Sequence, residues 1–237
     1  EKGSGGELQD MKTRPAKMKA LHSSSALAVN VFDYWVDKES SVMTMALELD
    51  SEITAIKFEE QYSTGLKGNP PNLDVVLELA DGNVIGIESK FSEWLTPKTK
   101  SYEPFKGKYF PDGLSLWENA GLPKAQYAAK SMYEGELSFR YLDAAQLLKH
   151  ALGMATQLGN RFFLYYIFHD WPGAESEVNK QEVTSFSEIV DDRLGFKFLS
   201  YQKLFNSLQH LEDTDDQYLG YLKERYSECD IHFKSPT

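Results

Sequence analysis

Three charged side chains, Asp74, Glu88 and Lys90, stand in two short segments that are mostly apolar and rich in β-branched residues, LDVVLEL and NVIGIESKF. Burying a charge is costly unless it pairs or binds a metal ion. Glu88 and Lys90 are two residues apart, so they project from the same face of a strand. Two carboxylates and the backbone carbonyl of Ser89 would form a hard-oxygen site of the kind that Mg²⁺ binds together with water.

The turn between the two segments decides whether Asp74 joins that face. An Ala-Asp-Gly loop over residues 80–82, with its glycine in the left-handed conformation, would pair Leu79 with Asn83 and place Asp74 opposite Glu88. A two-residue Asp-Gly loop would shift the register by one residue and split the cluster between the two faces of the sheet. We predict the three-residue loop.

The chemistry of such a site is water activation beside a phosphate. A bound divalent cation lowers the pKa of an attacking water and stabilises charge on a scissile phosphate. Lys90 would lie beside that water, where it could orient the water, take its proton or stabilise the transition state; the residue types leave these roles open. The sequence contains no GxSxG, HExxH or phosphate-binding glycine loop, and the lone Cys229 has no base placed beside it.

The elements that must position these residues alternate between helical and strand patterns. Their order predicts an α/β fold with a mixed sheet flanked by helices, forming a single domain over residues 21–237 after a polar arm over residues 1–20. The predicted elements are a helix at 22–37, a strand at 53–60, hairpin strands at 73–79 and 83–91, an irregular insertion over 92–140 with a short helix near 123–133, a helix at 141–158, a central strand at 161–168, a helix at 179–194, and a short strand followed by a helix over 196–209.

Composition and charge exclude several other classes of protein. The 237 residues carry a net charge of −11 and are 41% hydrophobic, which supplies a core and counts against a protein that coats nucleic acid nonspecifically. No apolar stretch reaches the ~18 residues of a membrane span, so no membrane partner is expected. A single cysteine excludes an internal disulfide and favours a cytoplasmic location. The acidic run over 211–217 is interpreted as a solvated loop.

The string PNLDVVLEL followed by GIESKF (71–91) resembles the PD-(D/E)xK nuclease superfamily, although the proline that precedes the family's aspartate is replaced here by Leu73. A wider pattern, SSSALAVNVF, KFEEQYSTGLKGNPPNLDVVL, QLLKH and FLSYQKLF, resembles a bacterial restriction-endonuclease-like branch over most of residues 20–206. The resemblance implies a three-layer αβα core with a mixed central sheet and a long insertion after the catalytic hairpin. It also implies phosphodiester hydrolysis, with Asp74 and Glu88 binding Mg²⁺, which Mn²⁺ can replace, and Lys90 as the catalytic lysine.

The same resemblance extends the candidate site to two further elements. An additional acidic residue often precedes the hairpin in such nucleases, and Glu59 is favoured here, with Glu60 as the alternative. A polar residue often reaches the site from the following helix, which points to Gln146 and Lys149 for positioning substrate or water. The alternative for this helix face is a solvent-facing polar stripe, and His150 on it is interpreted as a packed or capping histidine.

The insertion offers a candidate surface for substrate binding. Lysines contact phosphates and aromatic rings stack on bases. In WLTPKTKSYEPFKGKYF (94–110) four lysines alternate with aromatic residues, although the stretch also suits an ordinary lysine-rich loop. The lysines are Lys98, Lys100, Lys106 and Lys108.

The function expected from these features is metal-dependent endonucleolytic cleavage of DNA in restriction or defence, with a homodimer pairing two sites. Two alternatives remain. One is a nuclease-fold protein that binds nucleic acid or regulates without hydrolysis. The other is an interaction protein whose acidic surface meets a basic partner, which leaves the charges of the hairpin unexplained.

Overall fold

The structure, a computed structural model, describes residues 23–226 except 39, 100, 191 and 213. Its centre is a five-stranded mixed sheet whose strands lie side by side in chain order. The first three strands are antiparallel, and the last two run parallel to the third. The strands are β1 (Ile53–Gln61), β2 (Asn72–Leu79), β3 (Val84–Lys90), β4 (Phe162–Phe168) and β5 (Lys197–Ser200).

Eight helices flank the sheet within the described residues: α1 (Ser24–Phe32), α2 (Ser41–Ala46), α3 (Leu116–Asn119), α4 (Pro123–Glu134), α5 (Ala144–Leu158), α6 (Ala174–Ile189), α7 (Tyr201–Gln209) and α8 (Asp216–Tyr226). The sequence did not predict α2, α3 and α8. The first two are too short to show a helical period. The third begins within the stretch interpreted as a solvated loop, where Asp215 accepts the backbone N–H groups of Gln217 and Tyr218 as a helix cap. Helix α6 begins at Ala174, five residues before the predicted start.

The two faces of the sheet are covered by different helices, which makes the three-layer αβα arrangement that the resemblance implied. On one face, α5 lies close to β3, with Met154 next to Gly86. On the other face, Ser89 of β3 contacts Ser24 of α1 and Tyr201 of α7. Because Ser89 and Glu88 are consecutive in the strand, their side chains point to opposite layers.

The hairpin turn has the predicted register. The backbone N–H of Leu79 donates to the carbonyl of Asn83 at 2.9 Å, and Gly82 has φ +82°. Farther along, Val75 pairs with Ile87. The three-residue loop is therefore confirmed, and the register places Asp74 across from Glu88.

Close packing brings α5 down onto this hairpin. A Cβ on Gly153 would lie 2.3 Å from the carbonyl oxygen of Tyr62, and a Cβ on Gly86 would lie 2.7 Å from the sulfur of Met154. Neither distance leaves room for a methyl group. The two glycines therefore allow α5 to approach the sheet closely enough to carry side chains to β3.

The start of α5 is fixed by carboxylates on two elements. Asp143 caps the helix by accepting the N–H of Gln146 at 3.2 Å. Glu182 of α6 accepts the backbone N–H groups of Tyr141 and Leu142 at 2.8 and 2.9 Å, and also that of Arg140. The predicted helix began at 141, but these contacts hold residues 140–142 as a non-helical lead-in, and α5 begins at Ala144.

The insertion over 92–140 is a folded layer on α5. Trp117 is fully buried, and its indole N–H donates to the carbonyl of Leu148 at 2.7 Å. The short helix predicted near 123–133 is confirmed as α4. Among the described residues no helix has the length and apolar character needed to span a membrane. The predicted N-terminal arm and Cys229 lie outside the described residues.

Candidate functional site

Strands β2 and β3 separate where the candidate site begins. They pair as far as Val75 and Ile87. Two residues farther on, the N–H of Ser89 donates to the carboxylate of Asp74, with Oδ2 at 2.7 Å. In an antiparallel ladder every second residue turns both its N–H and its C=O to the same partner. The carbonyl of Ser89 therefore also points to the β2 side, next to Asp74.

Glu88 lies on the α5 side of β3 with both carboxylate oxygens engaged. Its side chain is 2% exposed; Oε1 accepts from the ammonium of Lys90, and Oε2 lies 2.9 Å from Nε2 of His150. Lys90 also donates to Oε1 of Gln146 at 3.3 Å. The lysine side chain is 14% exposed, so solvent reaches the cluster from its side.

The two carboxylates of the cluster repel each other. Burial and the nearby charge of Glu88 raise the pKa of Asp74 well above its ordinary value, against the opposing effects of Lys90 and the Ser89 N–H. Burial alone would raise the pKa of Glu88, but the charge of Lys90 and the contact with His150 hold it below its ordinary value. A cation between the two carboxylates would relieve the repulsion that acts on Asp74.

The donor atoms fit Mg²⁺. Asp74, Glu88 and the carbonyl of Ser89 supply oxygen ligands alone, and Mg²⁺ binds through one or two carboxylates while keeping several waters. The described residues contain no preformed group of three or more His, Cys, Asp or Glu side chains for a metal ion. A cation held here would therefore depend on the backbone carbonyl and on water to complete its shell.

A third carboxylate, Glu59, lies on the other side of Asp74. Phe58 pairs with Val75 and Glu60 pairs with Leu73. Glu59, which lies between Phe58 and Glu60, is therefore across from Asp74. Its charge raises the pKa of Asp74 further, and its Oε2 accepts from Asn72 at 2.8 Å. Glu59 has φ +55°, a backbone conformation that costs free energy in a non-glycine residue and that is concentrated at functional sites. The alternative candidate, Glu60, is exposed.

A family model described as Restriction Endonuclease associating with ARP matches residues 4–227. The chain belongs to this family. No curated protein and no solved structure matches it. Membership in this family agrees with the αβα architecture. It confirms that the chain is restriction-endonuclease-like, as the sequence resemblance indicated.

In this member of the family, α5 delivers two of its polar residues to the cluster and turns a third away. Gln146 and His150, one helical turn apart, reach Lys90 and Glu88. Lys149 instead donates to the carbonyl of Pro104 at 2.8 Å, in the insertion. The face that carries these residues is not a solvent-facing stripe, since His150 is 3% exposed and points to the sheet.

The candidate lysines of the insertion also differ in whether they support the fold or face solvent. Lys98 donates to the carbonyls of Tyr141 and Leu142 at 3.0 and 2.5 Å, so it supports the lead-in to α5. Lys106 is exposed, and Lys108, although exposed, donates to the carbonyl of Lys67. Lys100 lies outside the described residues.

Base stacking by most of the neighbouring aromatic rings was a wrong interpretation. Trp94, Phe105 and Tyr109 are 4%, 3% and 6% exposed. Phe105 and Tyr109 pack on Trp117 in the core of the insertion, and Trp94 packs on Phe168 of β4. Tyr102, by contrast, is 37% exposed, and its hydroxyl donates to Asp143.

His150 is the member of the cluster whose position the sequence analysis missed. Its spacing of four residues from Gln146 was visible, but a histidine on a helix face is equally consistent with packing or capping. A buried glutamate on the facing strand was the available indication, because a buried carboxylate requires hydrogen-bond partners.

Proposed function

We propose that the chain is a Mg²⁺-dependent nuclease of the PD-(D/E)xK type that hydrolyses phosphodiester bonds of DNA. The observation that carries the proposal is the hydrogen bond from the Ser89 N–H to Asp74, made where the two hairpin strands separate and beside Glu88 and Lys90. A carboxylate held in this gap, next to a second carboxylate and a cation, is an arrangement with little structural benefit of its own. It has a direct use in holding a metal ion against a phosphate.

Three oxygen donors would hold the ion: the carboxylates of Asp74 and Glu88 and the carbonyl of Ser89. When bound, Mg²⁺ or Mn²⁺ supplies Lewis acidity toward the phosphate and a water of lowered pKa. Glu59, across from Asp74, would contact the metal's waters. The contact of His150 with Oε2 of Glu88 orients this carboxylate. The other oxygen, Oε1, which contacts Lys90, would then be the one to bind the metal ion.

Lys90 is proposed to orient the attacking water and to stabilise negative charge on the phosphate. Burial opposes its charge, but the carboxylates of Glu88 and Asp74 raise its pKa above the ordinary value. A lysine that remains an ammonium is a poor proton acceptor, so the role of general base is disfavoured among the three left open by the sequence. Gln146 holds the ammonium through its side-chain oxygen.

DNA is the proposed substrate because the family description names a restriction endonuclease. With a net charge of −11, binding has to rely on local cations, and the exposed Lys106 is proposed to supply one, together with Lys108 once it leaves the carbonyl of Lys67. The role proposed is in restriction or defence, by a single nuclease-like domain over 21–237. Association with a partner designated ARP follows the family description, and a homodimer that pairs two sites remains a prediction.

Cleavage of plasmid and single-stranded DNA in Mg²⁺ tests the proposal. Lys90→Ala should reduce the rate by about 10²–10³-fold, the usual loss when a group that stabilises transition-state charge is removed. Lys57→Ala is the control, since Lys57 also forms an ion pair with a glutamate, here Glu78 of the next strand at 2.6 Å, but lies on the exposed edge strand β1. Equal rates for the two variants would overturn the assignment. DNA binding without cleavage by the unaltered protein would favour the non-hydrolytic alternative.

A further inference from the structure

We propose that Tyr201 is a positioning residue of the metal site, acting through Ser89 from the opposite face of the sheet. The inference rests on the proposed function and extends it to a residue outside the cluster. Tyr201 contacts neither Asp74 nor Glu88 among its hydrogen bonds. Its effect would be transmitted through the main chain of β3.

The contact behind the site is short and buried. The hydroxyl of Tyr201 lies 2.6 Å from Oγ of Ser89, and both residues are 0% exposed. Ser89 Oγ also lies 3.4 Å from the carbonyl of Ser24, in α1. Tyr201 is the first residue of α7, whose start is capped by Ser200 accepting the N–H of Lys203 at 3.1 Å. The tyrosine is therefore anchored in a fixed helix end.

Ser89 needs this support because the sheet holds only one side of its segment. On the β4 side, β3 stays paired through Lys90, whose carbonyl accepts the N–H of His169 at 2.8 Å. On the β2 side, the observed pairing ends at Ile87. The N–H that binds Asp74 and the carbonyl proposed to bind the metal both belong to Ser89 and both point to that unpaired side. A hydroxyl contact that fixes the Ser89 side chain also restricts rotation of its two peptide groups.

A purely structural role for Tyr201 makes a different prediction from a positioning role. A buried hydroxyl pair is stabilising only if both groups are bonded, so its loss lowers stability wherever it occurs. Tyr218 provides a matched comparison: it is 7% exposed, and its hydroxyl donates to the carbonyl of Val31 at 2.6 Å, seven residues along α1 from Ser24. The Tyr218 hydroxyl also accepts from the indole N–H of Trp35 at 3.2 Å, so its removal should cost at least as much stability as removal of the Tyr201 hydroxyl, whereas the Tyr201 change alone should affect metal binding.

The experiment compares Tyr201→Phe, Ser89→Ala and their combination with Tyr218→Phe in the full chain. Mn²⁺ affinity is measured directly by calorimetry, the Mg²⁺ concentration for half-maximal cleavage is measured in parallel, and thermal unfolding reports folding. Tyr201→Phe and Ser89→Ala should each weaken Mn²⁺ binding by about 10-fold or more, the lower end of losses for partners of metal ligands. The double variant should bind Mn²⁺ no more weakly than either single variant, because each single substitution already removes the contact between Tyr201 and Ser89. Saturating Mg²⁺ should restore most of the maximal rate.

Mn²⁺ affinity in Tyr201→Phe equal to that in Tyr218→Phe, with the unaltered protein binding Mn²⁺ and cleaving DNA, would overturn this inference and leave the proposed function standing. Additive losses in the double variant would also contradict it. If the unaltered protein neither binds Mn²⁺ nor cleaves DNA in Mg²⁺, the proposed function fails and the inference fails with it.

Discussion

Nε2 of His150 lies 2.9 Å from Oε2 of Glu88, and both side chains are 2% exposed. This contact joins α5 to β3 at the centre of the candidate site. It gives one oxygen of Glu88 a fixed partner on the helix, while the other oxygen faces Lys90. The same helix turn carries Gln146 to Lys90, so one helix orients both charged residues of the strand.

Replacing His150 should therefore impair catalysis more than folding. His150→Ala leaves Oε2 of Glu88 without its helix partner, and losses of about 10–100-fold in activity or metal affinity are typical when such a partner is removed. His150→Gln, whose amide can donate to the same oxygen, should retain part of the activity. Steady-state cleavage rates and thermal unfolding of the two variants check this. Full activity in His150→Ala would mean that Glu88 needs no support from α5.

The close approach of α5 predicts opposite effects for two glycine substitutions in helices. Gly153→Ala places a Cβ 2.3 Å from the Tyr62 carbonyl, and overpacking of this kind costs about 1–3 kcal/mol. In Gly220→Ala in α8, the new Cβ has no atom within 4 Å other than its chain neighbours and the helix's own backbone, and the gain in helix propensity is about 1 kcal/mol. Chemical denaturation measures both. A Gly153→Ala protein as stable as the original would show that α5 is free to shift away from the sheet.

Lys149 and Lys106 should separate support of the insertion from contact with substrate. Lys149→Ala removes the bond to the Pro104 carbonyl, and so should lower the unfolding midpoint and increase cleavage by proteases within 92–140. Lys106→Ala should leave stability unchanged and reduce the salt dependence of DNA binding, by a slope of about 1 if the lysine meets one phosphate. A reduced salt slope in Lys149→Ala with unchanged stability would instead restore Lys149 to the substrate surface.

Asp74→Asn should stabilise the metal-free protein while abolishing cleavage. The pKa of Asp74 is raised in the folded state, so its protonated form is favoured there and stability is lost as the pH rises through that folded-state value. Asparagine keeps an oxygen for the Ser89 N–H without the charge. In EDTA, the gain in unfolding temperature should be larger at pH 8 than at pH 5. Added Mg²⁺ should raise the unfolding temperature of the original protein only. A gain independent of pH would contradict the assigned cause.

The hairpin register was predictable because local geometry determines it. Gly82 tolerates the positive φ that a three-residue loop needs, and this turn alone fixes which residue faces Glu88. Mixed-sheet architecture followed from the order of the elements for a similar reason. Both depend on neighbours in the chain.

The remaining parts of the site depend on contacts between distant segments. Helical spacing indicated that Gln146 and His150 share a face, but the direction of that face is set by the contact of Gly153 with Tyr62. The sequence suggested that Lys149 was free to bind substrate, because nothing near it in the chain shows its partner. That partner is the carbonyl of Pro104, 45 residues away. Tyr201 and Ser89 are separated by 112 residues, and no local pattern links them.

A crystal structure of the protein soaked with Mn²⁺, with anomalous scattering used to locate the ion, tests the central claim most directly. The account predicts an ion with the carboxylates of Asp74 and Glu88 and the carbonyl of Ser89 in its coordination shell, and Lys90 withdrawn from Glu88 toward the phosphate position. An ion bound elsewhere on the protein, or no ion at a concentration of Mn²⁺ that supports DNA cleavage, would contradict it.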